Sequence, residues 1–215
     1  MRTKTLLLTA ALGLVGVAGV SAQSVYSVNA VGYVNKLVVA GYTLIANPLN
    51  GTNNQLSTIL PTPPDGSTIL KWNPATQGFS EPYSYIDGLG WLPDGALTVN
   101  PGEGFFFNLP SGTATLTFVG DVPQGNLTNG ISANYSLLSS VVPQVVAIDN
   151  PAFNFPVADG DTVLQWNSNA QTFAEPLSYI DGLGWLPNAP TITVGEGFFY
   201  NSLSSRNWTR SFSVN

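Results

Sequence analysis

The chain has 215 residues, of which 8% are charged, 44% hydrophobic and 11% aromatic, with 6 basic against 12 acidic side chains and neither His nor Cys. The missing imidazole and thiol exclude a Ser-His-Asp triad, a cysteine nucleophile, a thiolate or imidazole metal site and any disulfide. The acidic balance argues against nucleic acid, whose phosphates call for clustered Lys and Arg, while 24 aromatic residues supply a core despite 22 Gly and 16 Pro.

Residues 1–22 read as a signal peptide. Arg2 and Lys4 form a positive n-region, residues 6–20 are an apolar run of 15, and Val20-Ser21-Ala22 is a small-residue cleavage site. The run is shorter than the ~20 residues a spanning helix needs. Cleavage after Ala22 leaves 193 residues and, with Arg2 and Lys4 gone, four basic against twelve acidic side chains, a net charge of −8. No later apolar stretch is long enough to span a membrane. The expected location is therefore outside the cytoplasm: extracellular, periplasmic or at the cell surface.

Strands are expected at 31–39 and 42–47, one short helical turn at 54–60, then strands at 68–73, 79–86, 103–108 and 113–119. Turn chemistry separates them at Asn50-Gly51, Asp65-Gly66, Asp87-Gly88, Asp94-Gly95 and Pro101-Gly102. The period is two: Leu70 and Trp72 point one way, Ile69 and Lys71 the other, and Ala114, Leu116 and Phe118 alternate with threonines.

The pattern is then written again. Residues 65–93 match 159–187 at 20 of 29 positions, and 84–93 (SYIDGLGWLP) recurs unchanged as 178–187. Residues 102–108 (GEGFFFN) match 195–201 (GEGFFYN) at six of seven. Two copies of about 94 residues indicate a duplicated module, with repeat 1 over 23–121 and repeat 2 over 122–215. Thr162, Leu164 and Trp166 are retained while Val163 replaces Ile69 and Gln165 replaces Lys71. One strand face is thus held and the other varies, so the held face is expected to look into the core. The fold class is all-β: two tandem antiparallel β-sandwich or small-barrel repeats of about six to eight short strands each. Two arrangements stay open, separate domains or one continuous sandwich.

Trp72, Phe79, Tyr85 and Trp91 recur as Trp166, Phe173, Tyr179 and Trp185. Their plainest role is a core cluster, which strand parity favours for Trp72 and Phe79. Tyr85 and Trp91 flank the Asp-Gly-Leu-Gly loop at 87–90. There an exposed ring beside a hydrogen-bonding carboxylate suits a pyranose, whose face is apolar. The candidate ligand-binding set is Tyr85, Asp87 and Trp91 with Tyr179, Asp181 and Trp185. Exposure separates the readings: exposed Trp91 and Trp185 favour binding, while buried ones are lids on their own modules.

Glu81, Asp87 and Glu103 recur as Glu175, Asp181 and Glu196, and a glycosidase needs only two carboxylates. That is the hydrolytic class the composition leaves open. Yet Glu103 sits in a Gly-Glu-Gly that marks a turn or bulge, and Asp87 starts a turn. No spacing resembles a calcium loop. No catalytic residue, metal or cofactor is assigned.

With these residues in view, the chain resembles a broad group of bacterial secreted and surface β-rich modules of uncharacterised function. They share a Gly-x-x-Leu-Ile-x-x-Pro opening (Gly41, Leu44, Ile45 and Pro48 here), a mid-domain Trp-Asn (Trp72-Asn73) and a Pro-Gly-Glu-Gly-Phe-Phe element at 101–106. Repeat 2 departs at 134–138 (NYSLL), lacks the Pro before Gly195 and carries Arg210 where Leu116 aligns. The resemblance implies β-rich extracellular modules and transfers no catalytic residue. The expected function is a secreted, non-enzymatic structural or surface-interaction protein. The alternative is an extracellular carbohydrate-binding protein using loop aromatics in each repeat, with polysaccharide or cell-surface components as partners.

Overall fold

The computed structural model describes residues 30–214, so the expected signal peptide lies outside the described residues. Among these the chain forms seventeen strands and one four-residue helix. The all-β architecture follows from the period-two pattern and from turns that place glycines at positive φ, such as Gly88 at +77° and Gly90 at +84°. No described helix is long and apolar enough to cross a membrane.

The first half contains β1 (Val31–Ala46), α1 (Leu56–Ile59), β2 (Thr68–Asn73), β3 (Gly78–Phe79), β4 (Tyr83–Ile86), β5 (Gly90–Leu92) and β6 (Gly104–Asp121). Its antiparallel sheet runs β1-β6-β2-β4-β5, with β3 paired to β2. The second half contains β7 (Gly125–Ile131), β8 (Asn134–Ser139), β9 (Val146–Ala147), β10 (Thr162–Leu164), β11 (Trp166–Asn167), β12 (Thr172–Phe173), β13 (Leu177–Ile180), β14 (Gly184–Leu186), β15 (Thr191–Ile192), β16 (Gly197–Ser202) and β17 (Arg206–Phe212). Its main sheet runs β8-β16-β10-β13-β14, and β17 pairs with β7 as a separate ribbon. The order of equivalent strands is the same in both halves.

The strands flanking each module differ from the short elements expected. In the first half β1 and β6 pair as one long antiparallel ribbon, kinked where Ala40 and Gly41 both oppose Leu109. This bulge shifts the pleat by one residue. Hence Val38 faces the core above the kink and Ile45 below it. In the second half the same kink becomes a break. Ser136 Oγ accepts the Ser132 N–H and Ser205 Oγ accepts the Ala133 N–H, so serine side chains take the donors a continuous ladder would use. Gly41 and Asn134, which stand at this corner in the two halves, both have positive φ.

Each half has its own core. Val38, Ile45, Ile69, Phe105, Phe107, Leu116 and Phe118 fill the first; Ile131, Leu138, Val163, Phe198, Tyr200 and Trp208 fill the second. The second half's register also reassigns Arg210. It pairs with Leu127 as Phe118 pairs with Val34, so it occupies the place of Phe118, not that of Leu116 as direct alignment suggested. Trp208 takes the Leu116 place.

A third cluster joins the halves. Leu44, Phe106, Leu137 and Phe199 are buried there, with Leu70, Trp72, Leu164 and Trp166 against them. The contacts are reciprocal. Trp72 packs edge-on to Phe199 at 5.1 Å and Trp166 to Phe106 at 5.0 Å. Trp72 Nε1 donates to the Tyr135 carbonyl at 2.9 Å, and Trp166 Nε1 to the Tyr42 carbonyl at 2.8 Å. The Gln77 side-chain amide both donates to and accepts from the Tyr135 backbone, and Gln171 does the same at Tyr42. The Ala46 N–H donates to the Gly195 carbonyl, and the Ser139 N–H to that of Gly102. The halves are therefore two cores sharing one two-fold-like seam.

The seam corrects two expectations. Leu70 and Trp72, the face held between copies, look into the seam, while variable Ile69 looks into its own core. A reciprocal interface requires the same side chain on both sides, whereas a private core accepts Val for Ile. Phe79 is likewise a seam-edge residue, 43% exposed, and not a core residue.

Candidate functional site

Tyr85 and Trp91 are opposed across β4 and β5, and Tyr179 and Trp185 across β13 and β14. Each pair meets edge-on with centroids 5.6 Å apart. Tyr85 and Trp91 are each 5% exposed and Trp185 is 6% exposed, while Tyr179 is half-buried. Of the two readings open for these rings, the burial of Trp91 and Trp185 favours lids on their own modules over matched sugar platforms. Tyr85, Trp91 and Trp185 face inward because hairpin parity puts their strand positions on the core side, so no flat aromatic surface stands on either loop.

The exposed parts of the loops are the turns themselves. Asp87 and Asp181 are exposed, and their backbone N–H groups donate to Asp65 Oδ1 at 2.8 Å and Asp159 Oδ1 at 2.9 Å. The repeated Asp-Gly pairs thus anchor a hairpin tip to the preceding turn, which gives Asp65 and Asp159 a structural task as well.

Of the repeated glutamates, Glu81 and Glu175 are exposed, while Glu103 and Glu196 are occupied. Glu103 bonds Lys71 Nζ at 3.0 Å and the Asn100 N–H at 2.9 Å. Glu196 accepts from Gln165 Nε2, the Thr193 N–H and the Thr193 hydroxyl. Both brace the turn before the strand that follows, as the Gly-Glu-Gly context suggested. Gly102 there has φ +98°.

Two polar clusters occur in one copy only; the sequence singled out Arg210 of the second but none of its partners, and no residue of the first. Asp161 is fully buried and accepts from Tyr200 Oη at 2.5 Å, Arg206 Nη1 at 2.9 Å and the Ala158 N–H at 2.6 Å. The first half has Ser67, Phe107 and Ala114 in the corresponding places. Burial first, then the bond to Asp161, pushes the Tyr200 phenol far above its ordinary pKa. The second cluster is Arg210, 7% exposed. It donates to Gln144 Oε1 at 2.6 Å and lies over the rings of Phe153 and Phe212. Its Nε and Nη1 are buried without partners, and burial lowers its pKa. The sequence signal was polar replacement of apolar Phe107, Ala114 and Phe118 by Tyr200, Arg206 and Arg210, together with a carboxylate, Asp161, in place of Ser67.

The halves differ most beside the Tyr–Trp pair. In the first, α1 and Leu60 pack over it, and Trp91 Nε1 donates to the Leu60 carbonyl at 2.8 Å. In the second, the stretch between β8 and β10 forms no helix. It turns instead at Asn150–Phe153, where the Phe153 N–H donates to the Asn150 carbonyl. A cavity of about 310 Å³ opens there, lined by Ile148, Asp149, Asn154, Phe155, Tyr179 and Trp185 among others. Trp185 Nε1 is buried and has no partner. Among the described residues, no group of three or more His, Cys, Asp or Glu is placed to hold a metal ion.

Comparison with known proteins gives no match: no family model, no curated protein and no solved structure aligns significantly with this chain.

Proposed function

We propose that this chain is a secreted, non-enzymatic surface-interaction protein of bacterial type, built from a duplicated β-module, which binds rather than transforms its partner. The observation that carries this reading is how four of the repeated carboxylates are used. Glu103 and Glu196 brace turns through short hydrogen bonds, and Asp87 and Asp181 sit at hairpin tips. Glu103 lines one cavity and Asp149 another, and neither shares its cavity with a second carboxylate. Glycoside hydrolysis needs a facing pair.

The residues held between copies instead build turns, cores and the seam. Rigidity is what a presenting surface requires, because ordering on binding costs affinity. The resemblance to bacterial surface modules and the N-terminal apolar run with its cleavage site support export. The experiment is retention of the full chain on insoluble polysaccharides and bacterial envelope fractions, with reducing ends assayed in parallel. Retention without sugar release is the expected result; release of reducing ends would overturn the reading.

A further inference from the structure

We infer that the cavity beside Trp185 is a binding site for a neutral polyhydroxylated ring, a mono- or disaccharide unit, and that only the second half carries it. The inference rests on the proposed binding function and assigns it a place. The same Tyr–Trp pair is sealed in the first half by α1, whose Leu56 and Ile59 are buried against it, and the indole N–H is satisfied by Leu60. In the second half the chain between the equivalent strands has nearly the same length, yet no helical lid forms. Tyr179 is half-buried where Tyr85 is buried, and the indole N–H of Trp185 is left without an acceptor. A buried donor lacking a protein partner is destabilising, so a fold that leaves one beside a cavity favours a ligand that supplies an acceptor.

The lining defines the ligand. Half-buried Tyr179 lines the cavity together with the buried rings of Phe155 and Trp185, an apolar lining that suits the C–H face of a pyranose. Asp149 and Asn154 are both exposed at the rim; the Asp149 carboxylate and the Asn154 amide oxygen can accept from hydroxyls, while the Asn154 Nδ2 donates to the Thr209 carbonyl. A volume of about 310 Å³ falls at the small end of ligand pockets. An anionic ligand is disfavoured by Asp149 and by the acidic chain. A quaternary ammonium would suit Asp149 and the rings, but it has no acceptor for the Trp185 N–H. The unpartnered donor therefore selects a neutral ligand with oxygen acceptors.

The test is titration of the full chain with short cello-, chito-, xylo- and malto-oligosaccharides and with choline, followed by tryptophan fluorescence. At least one oligosaccharide should bind saturably at one site per chain. Trp185→Phe keeps the ring and removes the N–H, and should weaken binding about tenfold, the effect of ~1.4 kcal/mol. Asp149→Ala should weaken it to a similar degree. Trp91→Phe, in the sealed half, should leave affinity unchanged, and far-UV spectra and unfolding midpoints would establish that each variant is folded.

Binding unaffected by Trp185→Phe and Asp149→Ala would overturn the site. Choline binding lost in Asp149→Ala but kept in Trp185→Phe would overturn the neutral class. Retention of the full chain on polysaccharide with no oligosaccharide response would sink this inference and leave the proposed function standing. Absence of both would sink the two together.

Discussion

Replacing Trp91 and Trp185 individually by Phe isolates one hydrogen bond, because the two indoles occupy equivalent hairpins, are almost equally buried and meet their tyrosines at the same 5.6 Å. Each change removes a similar amount of ring, for about 1 kcal/mol of packing. Trp91→Phe also strips the Leu60 carbonyl, itself on a residue 3% exposed, of the donor 2.8 Å away. An acceptor left unsatisfied in the interior costs about 1–3 kcal/mol. Trp185→Phe removes a donor that has no partner, so it forfeits no bond and relieves an unmet one. The first variant should therefore lose about 1–3 kcal/mol more than the second in ligand-free protein. Guanidinium unfolding followed by far-UV circular dichroism measures this, as a lower midpoint at unchanged slope. Equal losses, or a larger loss in Trp185→Phe, would refute the claim that the two indoles differ in hydrogen bonding.

Replacing Trp72 and Trp166 together by Ala should uncouple the halves. Calorimetry should resolve two transitions in place of one, and a single sharp transition in the double variant would refute a cooperative seam. Stability should fall as pH rises above about 10. The Tyr200 phenol has its folded pKa raised, so its contribution is complete below the unfolded value and is lost above it. An ultraviolet titration should show one tyrosine ionising only on unfolding, and that late step should vanish in Tyr200→Phe. Gly120→Ala should cost about 1–3 kcal/mol, since its Cβ would lie 2.6 Å from the Asn50 carbonyl oxygen. Gly130→Ala meets nothing within 4 Å and should be neutral or stabilising by up to ~1 kcal/mol, as thermal midpoints would show.

Strand positions and turns were legible because they follow local rules. Alternation placed Ala114, Leu116 and Phe118 inward, and the helical turn at 54–60 appears as α1 within that span. What alternation does not reveal is what lies on either side of a strand buried on both faces. Leu70 and Trp72 satisfied the pattern of a core face while packing against the other copy. The same ambiguity affected Trp91 and Trp185, for an apolar ring near a loop has the same letters whether it points up or down. The site beside Trp185 was hidden for a different reason. Its chemistry comes from a lid that one copy forms and the other does not, and the residues common to both copies carry no sign of that difference. Comparing positions that diverged, such as Ser67 with Asp161 or Phe118 with Arg210, carried more information about local chemistry than the ten identical residues of the hairpins.

Because the aromatic contacts and the Trp and Gln hydrogen bonds of the seam each have a mirror image, the surface each half presents is largely complementary to itself. Gly104 and Gly197 meet near the middle, where a Cβ on Gly197 would lie 3.3 Å from the Gly104 Cα. The short link after β6 keeps the two surfaces at an effective concentration in the millimolar range, so closure within one chain outcompetes pairing between chains in dilute solution. A chain cut at that link, or one crowded at high concentration, holds surfaces that are still matched. Exchange of halves between neighbouring molecules would bury the same aromatic rings and make the same hydrogen bonds, and so the intramolecular seam is also a template for assembly.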